Sequence, residues 1–249
     1  MTLAASPALA AKNSPAAATP LGNDISWPQC GKTLPSGQAF GIVGVNGGKA
    51  NNFNPCFASE LNWALGSSLS TTSQPAAQLY LNTGNPGDVL AQYNVSDWPT
   101  SSVASDPYGS CSGTWTDSQA CSWEYGYERA QADVANVGSH SYNYWLDVET
   151  SNSWTGDFAK NRAALEGMVY YLGQQGSTVG LYSTSYQWGK IVGTNNPGDN
   201  LNGLPSWLPG ARNQKTARSN CNLSPLTVGG AVTITQFVSG GLDYDYSCI

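Results

Sequence analysis

The chain has 249 residues, 40% hydrophobic and 11% aromatic but only 10% charged, with a formal net charge of −6 and a pI near 4.5. Its few basic residues are scattered, so it lacks the basic face that nucleic acid requires and suits an anionic membrane surface no better. No stretch approaches the ~18 apolar residues of a membrane span, and the length fits a single α/β barrel without forcing a second domain.

Residues 1–20 (MTLAASPALAAKNSPAAATP) read as a signal-peptide remnant or disordered tail, because ALAA at 8–11 has the small-x-small character of a signal-peptidase site. Export is therefore expected, with an extracellular location. The cysteine count agrees: Cys30, Cys56, Cys111, Cys121, Cys221 and Cys248 form no C-x-x-C motif. Pairing of sequence neighbours would close three moderate loops in an oxidising compartment. With His140 the lone histidine, no Cys/His zinc site, metal or cofactor is expected.

From residue 21 to 249 the chain alternates apolar strands with amphipathic segments. NDISW (23–27) and FGIVGV (40–45) read as buried strands. NPCFASELNWALGSS (54–68) reads as a helix with Asn54 as cap and Pro55 in the first turn. AQLYLNT (77–83) is a strand, and residues 88–120 form an aperiodic insertion pinned near Cys111 and Cys121. Residues 122–138 form a helix ending at Gly138, YNYWLDVE (142–149) a strand, and 157–176 a helix that begins near Asp157 and stops before Gly176. TVGLYST (178–184) is a strand, YQWGKIVG a short helix, LPSWLPGA (204–211) a strand, and AVTITQFV (231–238) the last one. Such alternation predicts a parallel sheet closed into one β/α barrel.

Active sites of parallel barrels form at the C-terminal strand ends. Asp24 lies in the first strand, and Asn46, Asn82 and Asn85 follow the second and third. Asp147 and Glu149 end the fourth, Tyr182 and Ser183 the fifth. Trp207 and Gln236 lie on later strands, with Asp243 and Asp245 just beyond the last. Alternate residues of a strand share a face, so Asp147 and Glu149 project together into the mouth while Val148 turns out to the helix layer. Two adjacent carboxyls cannot both ionise cheaply, so one pKa rises and supplies a proton donor at neutral pH. Tyr144, Trp145, Trp154, Trp188 and Trp207 offer flat apolar faces for sugars, although tryptophans are more often core. The same acids could hold a structural cation or accept turn N–H groups. The loop around His140 reads as exposed, and Asn94-Val95-Ser96 matches a glycosylation acceptor. No G-x-S-x-G elbow supports a serine hydrolase.

Taken as an ordered set, GNDISWPQ, YWLDVET and TITQFVSGGLDYDYS resemble the glycoside hydrolase family 25 lysozymes, and more narrowly exported Gram-positive bacterial proteins with SWPQCG and LDVET segments. The resemblance spans residues 22 to 249 and implies an irregular TIM-type β/α barrel acting as a secreted glycoside hydrolase. It implies Glu149 as general acid and Asp147 as its partner, orienting a substrate N-acetyl group or a water. Asp24 and either Asp243 or Asp245 would surround the cleaved sugar. Asn46, Asn82, Tyr182, Trp207 and Gln236 complete the expected substrate-binding set. The segments VGVNGG and LYLNTGNPG depart from the family pattern on the substrate side, so the barrel and acid pair transfer better than muramic-acid specificity. The expected partner is a cell-wall or related polysaccharide bound by a monomer, without nucleic acid or membrane. A carbohydrate-binding barrel without catalysis is the alternative, and a cation-stabilised structural domain the third.

Overall fold

A computed structural model of the chain describes residues 21–87, 97–112, 116–138, 141–193 and 199–249. The tail at 1–20, His140, the Asn94 tripeptide and parts of the 88–120 insertion lie outside the described residues. Eight strands form a closed barrel in sequence order. They are β1 (Leu21–Ile25), β2 (Gly41–Gly44), β3 (Ala77–Asn82), β4 (Asn143–Asp147), β5 (Thr178–Tyr182), β6 (Ser206–Ala211), β7 (Val232–Ser239) and β8 (Leu242–Ser247). Five α-helices cover it among the described residues: α1 (Phe57–Leu65), α2 (Gln119–Val137), α3 (Phe158–Gln174), α4 (Ser185–Ile191) and α5 (Gln214–Asn220).

Strands β1 to β7 pair in parallel, and β8 closes the ring antiparallel to both β7 and β1. This corrects the reading of 231–238 as the last strand. Gly240 and Gly241 (φ 60° and 77°) make a two-residue hairpin that only glycine adopts without strain. The chain therefore turns straight back, and Asp243 and Asp245 sit within β8 rather than beyond the sheet.

Period-2 alternation sorts side chains between two cores. Leu79, Leu81, Tyr144, Leu146, Val148, Val179 and Leu181 face the helix layer. Phe40, Ile42, Trp145, Trp207 and Ile234 fill the barrel, with Tyr80 and Tyr182 packed on them. Asp157 caps α3 by accepting the N–H groups of Ala159 and Lys160, and Ser118 caps α2 through Cys121 N–H. Helix α2 thus starts three residues before the sequence reading placed it. Asn54 does not cap α1. The cap position is Cys56, and Asn54 Oδ1 accepts the Cys56 N–H one turn earlier while its Nδ2 serves Glu60 and the Gly44 carbonyl. Helix α5 carries too few apolar residues for periodicity to reveal it.

Helices α2 and α3 cross at two glycines. A Cβ on Gly126 would meet the Ala164 carbonyl oxygen at 1.8 Å, and one on Gly167 the Trp123 carbonyl oxygen at 2.0 Å. Gly126→Ala would gain about 1 kcal/mol of helix propensity, but backbone cannot yield as a side chain does. Net destabilisation of about 3 kcal/mol is expected, the upper end of ordinary overpacking. A urea midpoint equal to or above wild type would contradict it.

The disulfides join Cys30–Cys56, Cys111–Cys121 and Cys221–Cys248, the neighbour pairing expected. The first ties the turn after β1 to the start of α1. The second pins the irregular strap 97–112 to α2, where Trp98 packs on Tyr125 at 5.2 Å. The third ties the end of α5 to the residue after β8 across a sequence separation of 27. Loop-closure entropy puts its removal (Cys221→Ala with Cys248→Ala) at about 3.5 kcal/mol. Chemical denaturation of the double variant measures this, and an unshifted midpoint would refute it.

Candidate active site

At the C-terminal mouth, strand register sets the inward residues side by side. Tyr80 is level with Trp145, Asn82 with Asp147, Asp147 with Tyr182, and Tyr182 with Trp207. Across β8, Asp24 pairs with Asp243 and Gln236 with Asp245. Asp24, Tyr80, Asp147, Glu149, Tyr182 and Trp207 line one cavity of about 100 Å³. Val148 is buried in the helix-facing core and its N–H continues the ladder to the Tyr182 carbonyl at 2.9 Å, which holds Glu149 on the same side as Asp147.

Each acid has a different setting. Asp147 is 6% exposed and accepts from Asn82 Nδ2 at 2.8 Å, while its Oδ1 has no hydrogen-bond partner among the described residues. Burial pushes its pKa well up, and the Glu149 and Asp24 charges push it further. Glu149 is less buried. Gln187 Nε2 from α4 reaches its Oε1 at 3.4 Å, and Trp154 Nε1 donates to its backbone carbonyl at 2.8 Å. The carboxyl that resists ionisation is thus Asp147, which lies deeper because the strand ends there.

Asp24 Oδ2 accepts from Gln236 Nε2 at 2.8 Å, and Tyr182 Oη donates to Gln236 Oε1 at 3.1 Å. Burial, reinforced by the Asp243 charge, raises the Asp24 pKa to about 7. Asp245 is fully buried, and burial plus the neighbouring Asp24 charge raises it well above the ordinary carboxyl value, with the Trp207 indole opposing the shift. Asp243 is only partly buried, and its pKa too is raised by desolvation. The two aspartates left open by the sequence therefore differ: Asp245 lies beneath Asp24, whereas Asp243 stands opposite it at the surface side. The phenols of Tyr80 and Tyr182 are pushed up by burial, with nearby acids adding to it, so both remain donors.

Asn46 does not reach this cavity. It is fully buried, its Nδ2 donates to Asn52 O and to Asp133 Oδ1, and its Oδ1 accepts the Asn82 N–H at 2.8 Å. Its polar atoms are consumed in tying β2, β3 and α2 together, which replaces the substrate-binding role expected for it. Asn82 acts through Asp147, and Gln236 through Asp24. The tryptophans are mostly core: Trp145, Trp188 and Trp207 are buried, and of the described tryptophans Trp27 alone is exposed, at 48%. Trp27 lies past the end of β1, in a 3-10 turn rather than in the strand.

Sequence reasoning missed Tyr80, Gln187 and the pair Thr83 and Asn152, which donate to the Asp147 carbonyl (2.5 and 3.2 Å). Tyr80 had a signal, since it lies between Gln78 and Asn82 on the inward face of β3. Gln187 had none, because only the packing of α4 brings it to Glu149. Among the described residues no three acids, cysteines or histidines are grouped to hold a metal ion. Carboxyls with no opposing cation in the cavity suit a reaction that develops positive charge at carbon.

A family model for lysozyme-like protein 1 matches residues 118–216, the segment that holds Asp147 and Glu149. Lysozyme-like protein 5 of Caenorhabditis elegans is 40% identical over 76 residues, 30% of this chain and 34% of that protein. The probable GH family 25 lysozyme 4 of Dictyostelium discoideum is 28% identical over 127 residues, 48% of this chain and 56% of its own length. The matches thus span a third to just over half of these relatives. A muramidase from Trichobolus zukalii shares the fold with a TM-score of 0.56 at 17% identity, covering 91% of this chain and 92% of its own. A bacterial lysozyme from Streptomyces coelicolor does so at 0.50 and 14% identity, with 93% of each chain covered. The chain is lysozyme-like in sequence, and its fold is that of a TIM-type barrel.

Proposed function

We propose that this chain, similar to the glycoside hydrolase family 25 lysozymes, is an exported glycoside hydrolase that cleaves a bacterial cell-wall glycan as a monomer. The observation that carries the proposal is the single cavity holding Asp24, Asp147 and Glu149 between Tyr80, Tyr182 and Trp207 at the barrel's C-terminal mouth. Three disulfides support export.

In the open site the dry Asp147 carboxyl holds a proton. A sugar seated over Glu149 excludes water from that side chain as well, and the proton passes to the glycosidic oxygen from Glu149, the carboxyl nearer the surface. The C1–O bond breaks, the leaving sugar departs as an alcohol, and the substrate's own N-acetyl oxygen or a water takes its place at C1. Asp147 orients that nucleophile, with Asn82 holding it in place. Glu149, now ionised, accepts the proton of the incoming water. Asp24, held by Gln236 and backed by Asp245, stabilises the oxocarbenium-like charge.

The test is release of reducing ends from purified peptidoglycan and a panel of other bacterial glycans. Cleavage of peptidoglycan is expected. Binding without product from any glycan would overturn the enzyme reading and leave a carbohydrate-binding barrel.

A further inference from the structure

Helix α5 is held more firmly than its own packing explains. It buries a single residue, Ala217. Yet Asn213 caps it by accepting the Thr216 N–H, and Thr235 Oγ1 donates to the Ala217 carbonyl at 2.8 Å. The Cys221–Cys248 disulfide then ties its end to the residue after β8. What this fixed helix presents outward is charge. Arg212, Lys215 and Arg218 are all exposed, and none enters an ion pair among the described residues.

The charge around them has one sign. The chain carries 16 acidic residues against 10 basic ones, but no acid lies between residues 200 and 242, where these cations are the only charged side chains. Of the acids on β8, on which α5 also packs, Asp245 is fully buried and Asp243 partly so. The four arginines divide in the same way: Arg129 and Arg162 lie beside Asp97 and Glu166, whereas Arg212 and Arg218 face water.

Arg212 directly follows β6, at the same end of the barrel as the acid cavity, and Lys215 and Arg218 share one face of α5. The cations therefore run from the mouth along the outside of the barrel. An open row of this kind suits a line of anions better than it suits one enclosed group. A phosphodiester polymer has an anion in every repeat, and the guanidinium fork matches phosphate oxygens in pairs. Three exposed contacts are each weak, too few for a free-standing polyanion site. Beside a mouth that holds glycan they form a second attachment, which raises total affinity through effective concentration.

We infer that the outer face of α5 docks on an anionic phosphodiester polymer linked to the wall glycan, through Arg212, Lys215 and Arg218. The inference rests on the reading of the barrel mouth as a cell-wall glycan site.

The experiment measures sedimentation of the Glu149→Gln protein with insoluble peptidoglycan, either carrying a covalently linked phosphodiester polymer or stripped of it by acid. Glutamine at 149 keeps the glycan intact. Binding to the polymer-bearing wall is expected to be about tenfold tighter at low salt, from three modest contacts. The excess should vanish at about 1 M salt, where charges are felt over only about 3 Å. Adding Arg212→Gln, Lys215→Gln and Arg218→Gln together abolishes the excess and leaves binding to stripped wall unchanged. A control with Lys32→Gln, Lys49→Gln and Lys190→Gln removes as much charge from exposed sites elsewhere and keeps the excess. Equal loss of the excess in the two triple variants, or no excess for the parent protein, overturns the inference. So does an equal loss on stripped wall, which would make peptide carboxylates the occupant. Sedimentation that needs the polymer and α5, with no binding to stripped wall, would refute the glycan reading of the mouth and leave the docking face standing.

Discussion

Glu149→Gln is expected to lower kcat on purified peptidoglycan about 10²–10⁴-fold, the usual contribution of general acid–base catalysis, with little change in KM. The amide keeps the size of the side chain and leaves an oxygen for Gln187, which contacts Oε1 at 3.4 Å. What it removes is the proton that, on the proposed mechanism, leaves with the aglycone. Val148 stays packed in the helix-facing core, so the backbone that carries residue 149 has no reason to move, and a loss of rate reads as chemistry. Asp147→Asn separates the partners. Asn82 donates to Asp147 Oδ2 at 2.8 Å, and an asparagine oxygen can accept the same bond. The variant should retain binding, lose rate and lose the pH limb that reports the Asp147 proton. Wild-type rates from Glu149→Gln would remove it from the role of acid. A pH profile unchanged in Asp147→Asn would show that the Asp147 proton does not govern the rate.

The second large effect concerns stability. Burial raises Asp133 to about 8, Asp24 to about 7 and Glu166 to about 7, and pushes Asp147 and Asp245 up as well. Every one of these folded-state values lies above the ordinary carboxyl value of about 4. Between about pH 4 and the raised value, the folded chain holds more protons than the unfolded one, so stability falls as pH rises through that window. The melting temperature should therefore be highest near pH 4–5 and fall steadily to pH 8.

Asp133 contributes most visibly. It is 3% exposed on α2, accepts from Asn46 Nδ2 at 2.9 Å, and has a second oxygen with no hydrogen-bond partner among the described residues. At about 1.4 kcal/mol for each pH unit between its ordinary and raised values, ionising it inside the fold costs several kcal/mol. Asp133→Asn keeps the acceptor for Asn46 and cannot ionise. It should raise the melting temperature by about 5 °C or more at pH 8, since 1 kcal/mol corresponds to about 2–4 °C in a chain of this size, and change it little at pH 5. Calorimetry at both pH values tests this, and an equal effect at the two would show that packing rather than charge is responsible.

Much of the fold was legible because local rules and tertiary structure agree. The alternation in YNYWLDVE assigns Tyr144, Leu146 and Val148 to one face and Trp145 and Asp147 to the other, as they lie in the barrel. Asp157 and Gly138 mark helix ends at the positions where a cap and a positive φ of 94° are found. The strand after Gly240 and Gly241 was also within reach, since a glycine pair between alternating residues is a hairpin signal. A parallel barrel, by contrast, predicts a helix after β7, and that expectation conflicts with the glycine signal.

Other features had no local trace. Asn46 sits at the end of an apolar strand, where substrate-binding amides are common, and nothing in its neighbours along the chain announces Asp133, 87 residues away. Gln187 belongs to α4, and only the packing of that helix against the loop after β4 sets it beside Glu149.

The sequence by itself determined the alternation of elements and the inward pairing of Asp147 with Glu149, because both depend on periodicity; it made neighbour pairing the preferred one of fifteen for the cysteines, and the structure settled it. Only the tertiary structure decided that Asp147 rather than Glu149 lies deep enough to resist ionisation. It alone also set Asp245 beneath Asp24 and Asp243 across from it. Desolvation and charge coupling depend on what surrounds a group in three dimensions, and those surroundings come from strands far apart in the chain.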